Sequence, residues 1–150
     1  MDCASFLSII DTPRLILRPL EEGDFQVWKR SIQSLLKTQN QFDTSYTKDS
    51  NCSEQEFARL IQSCKDSRDK DFTYSFFAFC KSSGQLIGDS QLWGVTRFEC
   101  QRATPGYSVL NNHWRKGYGL EIAKATIEYG FDTLQLNRIE AEILPQNKAS

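Results

Sequence analysis

Residues 113–121, His-Trp-Arg-Lys-Gly-Tyr-Gly-Leu-Glu, constrain the fold of this chain more than any other stretch. An apolar strand pattern precedes this run and an amphipathic helix pattern follows it, so the chain turns from strand to helix through two glycines. The first N–H groups of a helix lack intrahelical partners, and the helix dipole favours negative charge there. Gly117 and Gly119 let the backbone approach a bulky anion closely, and Arg115 and Lys116 add positive charge. The run therefore predicts a phosphate-binding turn.

Composition limits the classes of protein that the chain can belong to. Its 150 residues, 39% hydrophobic and 25% charged, predict one domain over residues 1–150 with a substantial core. A net charge of -1 argues against a broad nucleic-acid surface. No apolar run approaches the roughly 20 residues that cross a bilayer. The short apolar patch near the N-terminus has no basic region ahead of it, so we expect neither a signal peptide nor a membrane partner.

The cysteines indicate a reducing compartment. There are five, an odd number without paired spacing, and the chain has a single histidine. A zinc site is therefore not expected, and no other metal is predicted. Reduced thiols in a cytoplasmic protein are the simplest interpretation.

Hydrophobic periodicity predicts the remaining elements. In chain order these are a strand at 14–18, a helix capped by Asp24, a loop at 37–51, a helix capped by Ser53, strands at 73–80 and 85–95 around a turn at 81–84, a strand at 103–110, a helix at 117–134 and a strand at 138–144. The helix at 117–134 is predicted to bury one stripe: Leu120, Ala123, Ile127, Phe131 and Leu134. Gly88 is a candidate bulge. Residues 103–144 form a strand–helix–strand crossover, so its two strands should be parallel.

The glycine run does not fit two familiar phosphate loops. The spacing of a P-loop is absent, and the third glycine of a dinucleotide fingerprint is missing after Gly117 and Gly119. The run also follows an antiparallel meander rather than the first strand of an alternating α/β chain. On the residues alone, two readings stay open: an anion site, or a tight turn into a helix with no ligand.

The residues on both sides of the glycine run resemble a known family motif. The order Tyr-Ser-Val at 107–109, a short connection, and Trp-Arg-Lys-Gly-Tyr-Gly at 114–119 resembles the acetyl-coenzyme A motif of the GNAT N-acetyltransferase superfamily, Gln/Arg-x-x-Gly-x-Gly/Ala. Trp114 in the first position resembles the Rim-type branch, which acetylates ribosomal proteins. The rest of the resemblance lies in Thr12–Leu20 with Asp24 and Trp28, in Leu86-Ile87-Gly88, in Gly106-Tyr107, and in Asn-x-x-Ser at 147–150. It implies an α+β GNAT fold, with a mixed, mostly antiparallel sheet flanked by helices.

The resemblance also implies an activity and a set of site residues. The activity is direct transfer of acetyl from acetyl-CoA to a primary amine, on a protein N-terminus or a small molecule. The cofactor would be bound by Ser108, Val109, Leu110, Arg115, Lys116, Gly117, Tyr118, Gly119, Leu120 and Asn147. The N–H near Val109 would stabilise the oxyanion, and Ser150 would protonate the departing thiolate. Tyr107 is either a second proton donor or a wall of the acceptor cleft.

Three positions depart from the resembled pattern. Thr104 stands where Rim-type proteins often carry a glutamate, and Asn111 where a proline is common. Arg115 replaces a frequent glycine, so its backbone is expected to be strained. The amine must lose a proton, and the general base stays open. Candidates are Asp89, Glu99, Glu140 and Glu142, although such strand carboxylates are more often simply solvated.

Length is a further departure. Resembled proteins continue past Asn-x-x-Ser with a helix and two strands, so the sheet is expected to lack them and the strand at 138–144 to have an open edge. Three explanations stay open: a shortened product, a missing part supplied by a partner, and a remnant that binds without turnover. The rival functions are accordingly an inactive CoA-binding fragment and an interaction module, and a homodimer is left open.

Overall fold

The computed structural model describes residues 9–148. Within them one sheet has strands in chain order: β1 Ile10–Asp11, β2 Leu15–Arg18, β3 Thr73–Cys80, β4 Leu86–Thr96, β5 Arg102–Val109 and β6 Arg138–Ile139. The helices are α1 Phe25–Gln33, α2 Glu54–Asp69 and α3 Tyr118–Asp132, with short 3-10 turns at Glu22–Asp24 and Asn111–His113. All neighbouring strands are antiparallel except β5 and β6, which are parallel. The α+β class and the parallel crossover are thus confirmed.

Local sequence accounts for the hairpin and for the start of α2. Gly84, with a φ of 68°, donates its N–H to the Cys80 carbonyl and closes the predicted turn between β3 and β4. The hydroxyl of Ser53 accepts the N–H of Glu56 at 3.2 Å, so the predicted cap is confirmed. Both signals are local, which is why the sequence could carry them.

Two apolar clusters cover the two faces of the sheet. The larger lies between the sheet and α3 and includes Leu15, Leu17, Phe76, Leu92, Ile122 and Tyr129. The second lies under α1 and α2 and includes Trp28, Ile32, Phe57, Phe79 and Leu86. A buried pair of hydroxyls, Ser90 and Thr126, joins β4 to α3 at 2.7 Å. The sheet is therefore packed on both sides, and Trp28 is a core residue.

The predicted buried stripe of α3 is wrong except at Leu134, which is buried just beyond the end of the helix. The buried residues are Ile122, Ala125, Thr126, Tyr129 and Gly130, whereas Leu120 is 77% exposed and Phe131 is 42% exposed. The helix carries two adjacent apolar stripes, and packing selects the one with small residues. At Gly130 a Cβ would lie 2.8 Å from the end of the Ile139 side chain and 3.1 Å from the end of the Leu92 side chain, so the helix lies close to the sheet here.

The predicted cap of α1 also needs correction. The carboxylate of Asp24 accepts the Glu21 N–H at 2.8 Å and forms an ion pair with Arg18 at 2.7 Å. It makes no capping hydrogen bond to α1, because the 3-10 turn at Glu22–Asp24 precedes the helix. Leu36 lies beyond the end of the helix and is exposed.

Candidate active site

The two edges of β5 are paired to very different extents. Along one edge, β4 pairs with β5 from Gly88 opposite Val109 to Trp93 opposite Thr104, and again at Thr96. Along the other edge, β6 pairs only with the first two residues of β5. The last bond there joins the Glu140 N–H to the Ala103 carbonyl at 3.1 Å. Beyond this bond the two chains diverge.

The predicted strand at 138–144 is therefore wrong in length, since β6 ends at Ile139. The reason is chemical. Ala103 faces β6, and alternate residues of a strand face the same edge, so Pro105 is the next residue to face it. Proline has no N–H to donate to a ladder. Pairing with β6 stops where this donor is missing.

The open edge of β5 begins at Pro105. By the same alternation, the backbone groups of Tyr107 and Val109 point to this edge. The Val109 carbonyl accepts the indole N–H of Trp114 at 2.7 Å, which fixes the segment after β5 to the strand end. Leu110 differs, because its N–H donates to the Ile87 carbonyl inside the sheet. The edge thus presents backbone groups next to the glycine run.

The glycine run forms a left-handed turn into α3. Gly117 has a φ of 78° and Arg115 a φ of 60°, so the expected unfavourable conformation at Arg115 is confirmed. The Glu121 N–H makes an intrahelical bond to the Gly117 carbonyl at 3.3 Å. The N–H groups of residues 118–120 precede that bond and have no carbonyl one turn back. Gly117 has no side chain to cap them. The turn therefore presents unpaired donors of the kind that suit an anion.

Tyr107 lies beneath this turn. A Cβ on Gly119 would lie 3.1 Å from the Tyr107 ring, so the ring packs against the start of α3. Of the other predicted site residues, Asn147 lies after β6, and its N–H donates to the Leu144 carbonyl at 2.8 Å. Ser150 lies outside the described residues.

The sequence did not reveal the side chains that hold the turn in place. Arg14, just before β2, donates Nε to Glu121 at 2.7 Å and Nη1 to the Lys116 carbonyl at 2.8 Å. Its guanidinium also lies 4.4 Å from the centre of the Tyr118 ring. The Thr12 hydroxyl donates to the same carboxylate at 2.7 Å. The only available signal was an arginine before the first long strand and a glutamate in the first turn of α3.

These contacts also set the charge of Glu121. Burial alone would raise the pKa of its carboxyl, but donors from Thr12 and Arg14 more than offset this, so the pKa is lowered. The side chain is thereby held as a carboxylate turned toward Arg14. Its negative charge is compensated beside a surface that would receive an anion.

A different set of side chains occupies the other face of the β4–β5 pair. Ser90 and Leu92 face α3, so Asp89 and Gln91 face α1 and α2. Asp89 is opposite Ser108 in the ladder, and the Ser108 hydroxyl donates to its carboxylate at 2.5 Å. Thr104 stands where the resembled proteins often carry glutamate. It is four residues before Ser108 on β5, an even number, so its side chain is on the same face.

A cavity of about 180 Å³ lies on this face, between the sheet and helices α1 and α2. The side chains that define it include Trp28, Tyr46, Cys64, Phe77, Asp89 and Gln91. None of the residues that line it is a lysine, arginine or histidine. Burial raises the pKa of the Asp89 carboxyl, an effect that the hydrogen bond from Ser108 reduces.

The other candidate bases are elsewhere. Glu140 forms ion pairs with Arg102 and Arg138, at 3.1 Å and 2.5 Å, which fits a structural role. Glu99 and Glu142 are exposed and do not line the cavity. Of the four candidates, only Asp89 lines the cavity.

Asn111, just after Leu110, is buried and fully hydrogen-bonded through its side-chain amide. Its amide accepts the Leu36 N–H at 2.8 Å and donates to the Leu36 carbonyl and to Asp43, both at 3.0 Å. It therefore ties the segment after α1 to the segment between β5 and α3. An asparagine in place of the resembled proline gains three hydrogen bonds, which the sequence did not predict.

No helix among the described residues is long and apolar enough to cross a membrane. Nor do these residues place three or more His, Cys, Asp or Glu side chains together as metal ligands.

Comparison with known proteins gives the family. A model of the acetyltransferase (GNAT) domain matches residues 14–150. The chain is 32% identical over 139 residues to the uncharacterised N-acetyltransferase p20 of Bacillus licheniformis, covering 93% of this chain and 75% of that protein. A segment of 92 residues is 34% identical to YjcK of Bacillus subtilis and spans 51% of it.

Solved structures agree on the fold. A Vibrio cholerae protein, provisionally described as a ribosomal-protein-serine acetyltransferase, has 26% identity and a TM-score of 0.75, covering 95% of this chain and 78% of its own. RimJ of Mycobacterium smegmatis, bound to CoA-disulfide, has 18% identity and a TM-score of 0.70, covering 89% and 64%. Because the family model spans nearly all of the described residues, the chain belongs to the GNAT family of acetyltransferases.

Proposed function

We propose that this acetyltransferase uses acetyl-CoA and transfers its acetyl group to a primary amine by direct attack. One observation carries the proposal: the half-open edge of β5 leads directly to the left-handed turn at the start of α3. A strand edge followed by a helix N-terminus suits an extended ligand that carries amides at one end and a diphosphate at the other.

In this proposal the diphosphate binds the backbone N–H groups of the segment from Arg115 to Leu120. The amides of the pantetheine arm pair with the open edge at Tyr107 and Val109. Ser108 and Leu110 direct their backbone groups into the sheet and so would contact the arm only as neighbours of that edge. Asn147 lies after β6 and would contact the arm from the opposite side of the opening.

The open edge of β5 also supplies a donor for the transition state of acetyl transfer. The Val109 N–H would donate to the thioester oxygen and stabilise the oxyanion of the tetrahedral intermediate. The roles of Ser150 and Tyr107 as proton donors stay predictions, as do a protein N-terminus or small molecule as acceptor, the Rim-type assignment and the cytoplasmic location. The p20 and RimJ likenesses support acetyl transfer and CoA use in the family.

Calorimetry of CoA binding tests the cofactor site with two matched variants. Gly117→Ala forces a side chain into a backbone with a φ of 78°, in the turn itself. Gly84→Ala imposes nearly the same strain, at a φ of 68°, in the β3–β4 hairpin, where an added Cβ meets no atom within 4 Å. We expect Gly117→Ala to weaken CoA binding about tenfold, or about 1.4 kcal/mol, and Gly84→Ala to leave it unchanged.

Equal CoA affinities in the two variants would show that the turn is not the diphosphate site. Turnover is measured separately, as release of CoA thiol in the presence of a panel of amines and peptides. Binding of acetyl-CoA without turnover by any acceptor would contradict acetyl transfer and favour the inactive CoA-binding alternative.

A further inference from the structure

The cavity beneath α1 and α2 contains a carboxylate with no lysine, arginine or histidine beside it among the described residues that line the space. Asp89 projects from β4 into the cavity and, within residues 9–148, receives a hydrogen bond from the Ser108 hydroxyl. A buried carboxylate without a counter-ion destabilises the folded state unless it takes up a proton or a positive ligand. The residues that line the cavity supply no positive charge.

We propose that this cavity binds the acceptor, that Asp89 is the general base, and that the acceptor is a compact monoamine with an apolar body. Ser108 is a positioning residue, because it acts by orienting the carboxylate. This inference rests on the proposed function, since it needs a thioester at the open edge of β5.

Asp89 is the only aspartate or glutamate among the described residues that line the cavity. From the loop after α1 it is faced by Tyr46, and from α2 by Cys64, whose thiol lies near Arg68. Burial raises the pKa of both the Tyr46 phenol and the Cys64 thiol, so these groups stay neutral near pH 7. One negative group matches one ammonium, and a polyamine would bring a second charge without a partner.

The shape of the cavity sets the size of the acceptor. Its volume of about 180 Å³ is close to the roughly 150 Å³ cavity that holds a benzene-sized molecule. Aromatic walls at Trp28, Tyr46 and Phe77 suit an apolar body and stabilise a nearby ammonium. A peptide N-terminus extends in two directions from its amine and fits such a space less well.

The ladder brings the base next to the proposed reaction centre. Ser108 directly precedes Val109, whose N–H points to the open edge, and Asp89 faces Ser108 across the ladder. Opposed residues of an antiparallel pair lie about 5 Å apart between Cα atoms. The carboxylate therefore lies on the cavity side of the strand end that would receive the acetyl group.

In the proposed step Asp89 first accepts a proton from the amine and later returns it to the leaving group. The ammonium loses one proton to the Asp89 carboxylate, and the freed nitrogen lone pair forms the N–C bond to the thioester carbon. The second N–H proton leaves to solvent as the intermediate collapses. The C–S bond then breaks, and the CoA thiolate takes the proton held by Asp89. The products are the amide and CoA thiol, and the carboxylate is regenerated.

Phenethylamine, spermidine and a short peptide are the probes for the test. Asp89→Asn should lower kcat for phenethylamine at least a hundredfold and abolish the acidic limb of the kcat/KM profile. Ser108→Ala should lower kcat less and move that limb to higher pH, because the lost hydrogen bond stabilises the carboxylate. Ser108→Thr should restore much of the change. Glu99→Gln, an exposed carboxylate outside the cavity, is the matched control and should behave as the original protein.

Calorimetry keeps this inference separate from the cofactor assignment. Asp89→Asn should bind CoA as tightly as the original protein, whereas phenethylamine binding to the CoA-loaded protein should be lost. Absence of phenethylamine binding in the original protein would overturn the acceptor pocket. Full kcat in Asp89→Asn would overturn the base, and faster turnover of spermidine or the peptide would overturn the compact monoamine. Absence of CoA binding by the original protein would instead contradict the proposed function.

Discussion

The two edges of β5 differ in how far their backbone groups are paired. Toward β4, the ladder runs from Val109 to Arg102 and holds the Asp89–Ser108 pair in register. Toward β6, pairing covers two residues and stops before Pro105. One edge therefore positions side chains through a continuous ladder, while the other leaves backbone groups unpaired. In the proposed mechanism a single strand serves both the acceptor site and the cofactor site, because only one of its edges is fully paired.

The largest expected effect comes from a substitution at Gly88 that disrupts the pairing of β4 with β5. At Gly88 a Cβ would lie 2.1 Å from the Ser108 carbonyl oxygen, so β4 and β5 could not keep their spacing. We expect Gly88→Ala to lower the free energy of unfolding by about 3 kcal/mol or more, measured by urea unfolding. Gly106→Ala is the control, because its Cβ would meet only the Gln91 side chain at 3.5 Å. Similar losses in both variants would contradict the tight spacing.

The next largest effect is a gain in stability from replacing Asp89, the same substitution that is expected to reduce activity. Burial raises the pKa of Asp89, so ionisation is less favourable in the folded state than in the unfolded state. The resulting penalty is absent below the ordinary aspartate pKa of about 3.9 and develops as the pH rises through the raised value. Asp89→Asn should therefore be more stable at pH 7, by about 1 kcal/mol or a Tm rise of about 2–4 °C.

Thermal unfolding across pH checks this sign. The gain in Tm from Asp89→Asn should shrink toward zero near about pH 3, where the aspartate is protonated in both states. A variant less stable at pH 7 than the original protein would show that the carboxylate contributes to folding. It would also remove the reason to expect a cationic ligand.

The smallest effect concerns the open edge and its turn. Arg14→Ala removes the link between Glu121 and the Lys116 carbonyl, but its side chain is 45% exposed, so the loss in stability should be about 0.5–1 kcal/mol. CoA affinity should fall about threefold as the turn loosens, or about 0.65 kcal/mol. Arg59→Ala removes an exposed ion pair with Glu56 on α2 and should change neither quantity. Unchanged CoA affinity in Arg14→Ala would mean that the turn holds its shape unaided.

The sequence predicted the features that depend on neighbouring residues. The cap at Ser53 and the turn at Gly84 each follow from a few adjacent side chains, and the unfavourable backbone at Arg115 was expected because the resembled proteins often carry glycine there. Strand boundaries at β3 were predicted correctly because aromatic alternation is a local pattern. The GNAT motif was recognised for the same reason, since its order and spacing lie within one short segment.

Features that depend on distant contacts could not be predicted. The buried stripe of α3 is decided by Gly130, which admits side chains from β4 and β6. The link from Arg14 to Glu121 joins residues 107 positions apart, and nothing near either residue indicates it. Asp89 was one of four equivalent candidates until the ladder placed it opposite Ser108, within a cavity closed by helices from another part of the chain.

Pro105 has a consequence for which molecules can add to the open edge. A peptide strand from another protein would find a missing donor at the second position of its ladder and would lose that hydrogen bond. A ligand whose amides are separated by unequal carbon spacers has no need for a donor at every second residue. The same proline that stops β6 thus discourages sheet extension between molecules, while an irregularly spaced ligand keeps access to Tyr107 and Val109.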